Sequence, residues 1–219
     1  VIVEGANLGL TQKARITFSE KGGLINTDAI DNSAGVNMSD YEVNLKILLS
    51  SLLNMKKIPS DKVRNQLLAK ATDEVTELVL ANNRGQHNLL TLDQVRSSKT
   101  PLFFEHMIRY LERHGGLHCD EEEIPDSERR QHYYNQKLPL PRPVLAVCQA
   151  YVKMTIFNAL TSSSRFKDLY FNSVFYDYFP PSIQKLISLR SLPEHRLHQD
   201  IIHTVVTNTV VNTYGCTAL

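Results

Sequence analysis

The sequence predicts a mixed architecture, a short α/β segment followed by a mainly α-helical remainder. Three observations carry this. Residues 1 to about 50 hold five of the nine glycines and alternate short apolar runs with turn residues. Beyond about 55, apolar residues recur at helical spacing. At most two strand candidates occur, whereas a doubly wound sheet needs several consecutive strand–helix units. The first segment, 1–54, therefore reads as the tail of an α/β domain that begins upstream, and 55–219 as a helical domain.

Each element has its own local cause. Val1-Ile2-Val3 is a β-branched run that stops at Gly5-Ala6-Asn7, a buried strand entering a loop. Thr11 is placed to cap a helix to about Lys21, with Gly22-Gly23 ending it. Leu24 to Thr27 is the second strand candidate, and Asp31-Asn32-Ser33-Ala34-Gly35 is turn chemistry. Ser39 then caps a helix to about Leu53, with Asp40 and Glu42 in its first turn. Pro59-Ser60-Asp61 opens a helix whose Val63, Leu67, Ala71, Val75, Leu78 and Val79 share a stripe; it ends near Asn82-Asn83, with Gly85 beyond. Leu102, Phe103, Met107, Ile108 and Leu111 mark a helix between Pro101 and Gly115-Gly116. The polar stretch of about 119–142 reads as a surface connection. Helices follow over about 143–160, over 164–179 up to Pro180-Pro181, briefly from Ser182, and over 193–214.

Composition narrows the function. Twenty-four Lys and Arg face 23 Asp and Glu, a net charge of +1, which gives no electrostatic case for nucleic acid or an acidic membrane surface. No apolar run approaches the roughly 20 residues of a membrane span. The N-terminus lacks the basic and apolar regions of a signal peptide. Three widely spaced cysteines (Cys119, Cys148, Cys216) point to a reducing, cytoplasmic setting.

Motifs for self-sufficient chemistry are missing. There is no G-x-G-x-x-G, no phosphate-binding loop and no G-x-S-x-G elbow, so no catalytic residue is assigned. His114, His118 and Cys119 read as a helix end beside a solvated loop, and His195, His198 and His203 as structural positions on the last helix. No metal site is expected. Cys148 reads as a core residue, and Lys13, Arg15, Lys46, Lys56 and Lys57 as solvated side chains. Six aromatics between Tyr170 and Phe179 signal core or subunit contact. The informative residues are Glu4-Gly5-Ala6-Asn7 at a strand end, then Asn32-Ser33-Ala34-Gly35-Val36 and Ser39. Small residues there let a ligand approach the backbone, and asparagine amides offer both donor and acceptor. The same residues are also ordinary turn and cap chemistry.

Glu4-Gly5-Ala6-Asn7, Asp28, Asn32-Ser33-Ala34-Gly35-Val36, Ser39 and Glu42 resemble the end of the nucleotide domain in glutamate dehydrogenases, which reads E-G-A-N, P-D and N-A-G-G-V-x-x-S-x-x-E. Gly22 to Val36, Leu140-Pro141-Arg142-Pro143-Val144-Leu145-Ala146-Val147 and Tyr178-Phe179-Pro180-Pro181 resemble the large, multidomain NAD-specific class. The resemblance implies a Rossmann-like remnant over 1–54. It places Asn7 at the nicotinamide ribose of NAD, Asn32 at the nicotinamide carboxamide and Ser39 at the distal carboxylate of glutamate, with Gly5 and Ala6 also among the cofactor-binding residues. The implied reaction converts glutamate, NAD and water to 2-oxoglutarate, ammonia and NADH. Its lysine and aspartate belong to a substrate domain upstream in the same polypeptide, so this chain alone is expected to be inert. The helical region would brace the nucleotide domain or form homo-oligomer contacts. Ala34 replaces a family glycine and Gln12 a helix-starting proline, so the loop is expected to be locally reshaped. The alternatives are a dehydrogenase for another amino acid and a non-catalytic helical interaction or regulatory domain.

Overall fold

The computed structural model describes residues 1–5, 7–163, 171–189, 192 and 194–219. It contains ten α-helices among these residues: α1 Gln12–Glu20, α2 Asp28–Asp31, α3 Ser33–Asn54, α4 Asp61–Lys99, α5 Pro101–His114, α6 Ser127–Asn135, α7 Arg142–Thr161, α8 Phe171–Tyr178, α9 Pro181–Gln184 and α10 His198–Tyr214. A closing 3-10 turn covers Gly215–Ala218. They form two compact units that draw on the chain alternately. Unit one comprises Val1–Ser33, Asn83–Ala159 and Thr207–Leu219; unit two comprises Ala34–Asn82 and Leu160–Val206.

The helical expectations at α1, α5 and α7 hold because their local signals agree with their packing. Thr11 accepts the Ala14 N–H at 3.2 Å, and Gly22 ends α1 at φ +83°. Pro101 opens α5, where its missing N–H costs nothing, and Phe104, Met107, Ile108 and Leu111 line its buried face. Helix α7 has the length and hydropathy of a bilayer span by composition alone. In unit one its Val144, Leu145, Cys148 and Val152 are packed with Phe104, Ile108 and Leu111.

Four expectations are corrected. The segments 1–4 and 24–27 run without forming a strand. One backbone hydrogen bond, Ile2 N–H to the Leu24 carbonyl at 2.9 Å, links them, while Val1, Val3 and Leu24 stay exposed. A ladder requires such bonds to repeat along both chains. Second, α3 begins at Ser33 and not at Ser39. The Asn83 amide donates to both the Ile30 carbonyl (3.0 Å) and the Ser33 hydroxyl (2.7 Å), holding the α2–α3 joint together. That tertiary support outweighs the poor helix propensity of Gly35. Third, α4 continues through Gly85 to Lys99. A side chain there would meet Asn212 of α10 at 3.6 Å, so the glycine lies against a neighbouring helix. Fourth, the polar connection contains α6, capped by Asp126. Its Arg130 is buried and makes a bidentate pair with Glu105, both bonds at 2.8 Å, plus a third bond to the Pro125 carbonyl.

Within unit one, Gly215 is required twice over. Its φ is +63°, and a Cβ would collide with the carboxylate of the fully buried Asp93, which accepts the Cys216 N–H at 2.7 Å. Unit two has a separate core of Leu45, Leu48, Leu49, Leu52, Val75, Phe175 and Ile202. Tyr41 and Tyr178 stack at 4.4 Å, and the Asn44 amide donates to the Tyr178 hydroxyl at 2.9 Å. His195 precedes α10 and is not part of it; its Nε2 lies 3.1 Å from the Asn44 carbonyl. The first part of the expected 164–179 helix and Pro193 lie outside the described residues.

Hydrogen bonding from Arg130 holds the Glu105 carboxyl below its ordinary value of 4.5. The group's folded value is depressed, so its stabilisation is present above about 4.5 and is lost as pH falls through the lower folded value. Replacing Glu105 with Gln leaves a buried guanidinium uncompensated and should destabilise the protein by about 3 kcal/mol at neutral pH, measured by urea unfolding. The variant should also lose less stability than wild type on acidification. An unfolding free energy equal to wild type at pH 7 would contradict this assignment.

Candidate functional site

The residues singled out in the first forty are organised in unit one by a buried ion pair. The Glu4 carboxylate meets the Arg15 guanidinium of α1, with Arg15 only 2% exposed and Glu4 8%. The same carboxylate accepts the Gly9 N–H, and Arg15 also donates to the Asn26 carbonyl at 3.1 Å. The Glu4 N–H donates to Asp31 and the Leu8 N–H to Asp28, both at 3.0 Å. The loop between Glu4 and Gly9 is thus fastened at both ends. Asn7 and Leu8 take φ of 57° and 56° within it. Asparagine tolerates this left-handed region, but two successive non-glycine residues there persist only when their surroundings over-determine them.

The loop presents Asn7 to Asn32. Asn32 sits at the α2–α3 joint, and its Nδ2 donates to Asn7 Oδ1 at 3.3 Å. The Asn7 amide N–H groups and Asn32 Oδ1 have no other partner among the described residues, so the pair keeps a free donor beside a free acceptor. Gly5 has open space where a side chain would project. Ala6 lies outside the described residues.

A partly buried polar network adjoins Asp31, next to this pair. The Asn26 amide donates to Asp31 at 2.8 Å, lies 3.3 Å from His87 Nδ1, and accepts from the Arg142 guanidinium. Arg142 also donates to the Thr91 hydroxyl and the His87 carbonyl, each at 2.8 Å. Burial, reinforced by the Arg142 charge, pushes His87 down, with Asp31 opposing. The imidazole is therefore neutral at pH 7 and offers a hydrogen bond without adding a charge.

Ser39 belongs to unit two and is exposed in the second turn of α3. Its hydroxyl points back to the Gly35 carbonyl at 3.5 Å, a weak contact typical of a helix interior. The expected cap role is thereby corrected, and with it the first-turn role of Glu42, which pairs with Lys46 at 2.5 Å. Asn7 and Asn32 are brought together in unit one.

Sequence reasoning missed Arg15, which is buried and not solvated. Its signal was present: Arg15 adjoins the core residue Ile16 on α1, and Glu4 ends an apolar run that needed a counter-charge. Asn83 and Gln86 were also missed, because the expected helix end at 82–83 removed them from consideration. Among the described residues no three His, Cys, Asp or Glu side chains are placed to hold a metal.

Comparison with known proteins adds independent information. Residues 1–93 match the model of the bacterial NAD-glutamate dehydrogenase catalytic domain, and residues 137–219 match the glutamate dehydrogenase C-terminal model. The chain is 36% identical over 220 residues to an NAD-specific glutamate dehydrogenase of Mycobacterium tuberculosis, and 37% over 219 to one of Halomonas elongata. These alignments cover 99% and 98% of this chain but 13% of each relative. Glutamate dehydrogenase 2 of Dictyostelium discoideum is 50% identical over 50 residues, 23% of this chain and 5% of that protein.

The loop geometry generates a test of Asn7. Asn7→Gly should keep the unfolding free energy within about 0.5 kcal/mol of wild type, since glycine adopts positive φ freely. Asn7→Val should lose roughly 1–2 kcal/mol. Equal stabilities of the two variants in denaturant titration would refute the left-handed assignment.

Proposed function

We propose, on the premise that this chain belongs to the family of NAD-specific glutamate dehydrogenases, that it supplies part of the nicotinamide and substrate pocket of a much longer polypeptide. The observation carrying this reading is the Asn7–Asn32 amide pair. The free acceptor of Asn32 suits the N–H groups of a carboxamide, and the free donor of Asn7 suits a ribose hydroxyl beside it. The open space at Gly5 permits close approach of a ribose to the backbone. These features fit NAD.

In this reading NAD, when bound, would supply the hydride acceptor for oxidation at the glutamate α-carbon, and water would then release 2-oxoglutarate and ammonia. The residues of this chain bind and orient. Asn32 holds the carboxamide and so fixes which ring face meets the substrate. Asn7 positions the ribose. Ser39, exposed and only weakly engaged with Gly35, donates to the distal carboxylate of glutamate. No residue here moves the substrate proton; a lysine and an aspartate elsewhere in the polypeptide do so. The isolated chain is accordingly inert.

Segment 1–54 is the end of a Rossmann-like nucleotide domain, a reading supported by exposed Val1, Val3 and Leu24 beside buried Ile25. The sheet to which they add is supplied by upstream domains of the same polypeptide. Segment 55–219 is a helical domain that braces the nucleotide domain and contributes to homo-oligomer contacts. Three free thiols support a cytoplasmic setting.

Ser39→Ala in the full-length polypeptide tests the site. Loss of a hydrogen bond to a charged group should lower kcat/KM for glutamate roughly 10- to 100-fold. Because Ser39 is interior to α3, alanine should also stabilise slightly, whereas a cap would lose about 1 kcal/mol. Unchanged glutamate turnover would remove Ser39 from the site. Equal turnover of leucine by wild type would favour another amino acid as substrate.

A further inference from the structure

A cavity in unit one, of about 500 Å³, lies between the 8–10 loop, α1, α2 and one face of α7. Its wall includes none of Gly5, Asn7, Asn32 or Ser39. Two polar side chains in the wall have unmet hydrogen bonds. Gln149 is 1% exposed, and neither its amide nitrogen nor its oxygen has a partner among the described residues. An unsatisfied buried amide is costly, and a native fold keeps one where something else satisfies it. Lys153 lies one turn further along α7. Among the described residues its ammonium donates to Gln86 Oε1 at 3.0 Å and forms no ion pair, so two of its three N–H donors remain unused there. Burial pushes it down to about 8.

The other charged groups in the wall are already committed. Arg15 is paired with Glu4. Asp28 accepts the Leu8 and Ala29 N–H groups, and Glu122 accepts the Tyr151 hydroxyl at 2.7 Å. Asp28 and Glu122 have hydrogen bonds without an ion pair, but around Gln149 and Lys153 themselves the remaining demand is rich in donors: two from Lys153 and two from the Gln149 amide nitrogen, against the acceptor Gln149 Oε1. Leu10, Ile30, Ala146 and Ala150 supply an apolar part of the wall, beside the polar Gln12, Thr27 and Gln86.

We propose that this cavity is a binding site for a small organic acid with an apolar body and a hydroxyl beside its carboxylate. The carboxylate accepts from Lys153 and the Gln149 amide nitrogen, and the hydroxyl donates to Gln149 Oε1. Water could meet the hydrogen bonds of both side chains but would leave the lysine charge unpaired and the apolar part of the wall wet.

The test is calorimetric titration of the full-length polypeptide, without glutamate or NAD, using 2-hydroxy-4-methylpentanoate as probe and its primary amide as control. The acid should bind and the amide should bind at least about tenfold more weakly. Lys153→Met and Gln149→Leu should each weaken the acid about tenfold or more, while Ser39→Ala leaves it unchanged. Gln149→Leu removes an unsatisfied amide, so its thermal midpoint should equal or exceed that of wild type, which separates lost binding from lost folding. Affinity should fall as pH rises through about 8, where free Lys153 loses its proton. Absence of binding at millimolar probe, or binding untouched by both α7 substitutions, would overturn the proposal.

Discussion

The pairing of Glu4 with Arg15 is the constraint on which the first unit's functional surface depends. Two opposite charges leave water together, and neither is tolerable there alone. Satisfying the carboxylate draws in the Gly9 N–H, and satisfying the guanidinium draws in the Asn26 carbonyl. The chain between Glu4 and Gly9 must then close on itself. It does so by turning Asn7 and Leu8 left-handed, which sets the Asn7 amide against Asn32. The pair adds little net stability beyond what apolar residues of similar volume could provide. What it contributes is a fixed loop geometry, which the proposed recognition of a carboxamide would need.

The partner side of that geometry is equally determined. Asn32 occupies the short break between α2 and α3, and the break is held by Asn83 through Ile30 and Ser33. Gln86 joins the same hydroxyl at 3.3 Å and accepts from Lys153. One side of α4, over Asn83 to His87, is thus a row of polar contacts reaching the joint, the Asn26 network and the α7 cavity. This explains why α4 continues past Asn82-Asn83: the Asn83 amide faces partners across unit one instead of ending the helix.

The parts of the fold legible in the sequence are those where local signal and tertiary packing agree. Thr11 and Gly22 bound α1, Pro101 opens α5, Pro180-Pro181 separate α8 from α9, and the Ala71–Val75–Val79 stripe is buried as its spacing implies. The failures share a cause, which is polar side chains whose partners are distant in sequence. Ser33 and Gly35 look like a turn until Asn83 is placed. Helix α6 looks like a loop because its buried residue is Arg130, whose counter-charge lies 25 positions back. Arg15 looks solvated for the same reason. For the proposed site, Asn7 and Asn32 were singled out through motif resemblance, and the structure shows that the two side chains are in direct contact. The interior position of Ser39 and the unsatisfied Gln149 required coordinates, since no spacing rule separates a helix cap from a residue one turn further in.

The most direct test of the central claim is hydrogen–deuterium exchange of the full-length polypeptide with Arg15 replaced by Met. If the ion pair fixes the loop, the amides of Leu8 and Gly9 should exchange much faster than in wild type, while those of α5 over Pro101–His114 stay protected. A folded Arg15→Met variant whose 4–10 segment exchanges at the wild-type rate would show that the loop holds its shape without the pair, and would contradict the account.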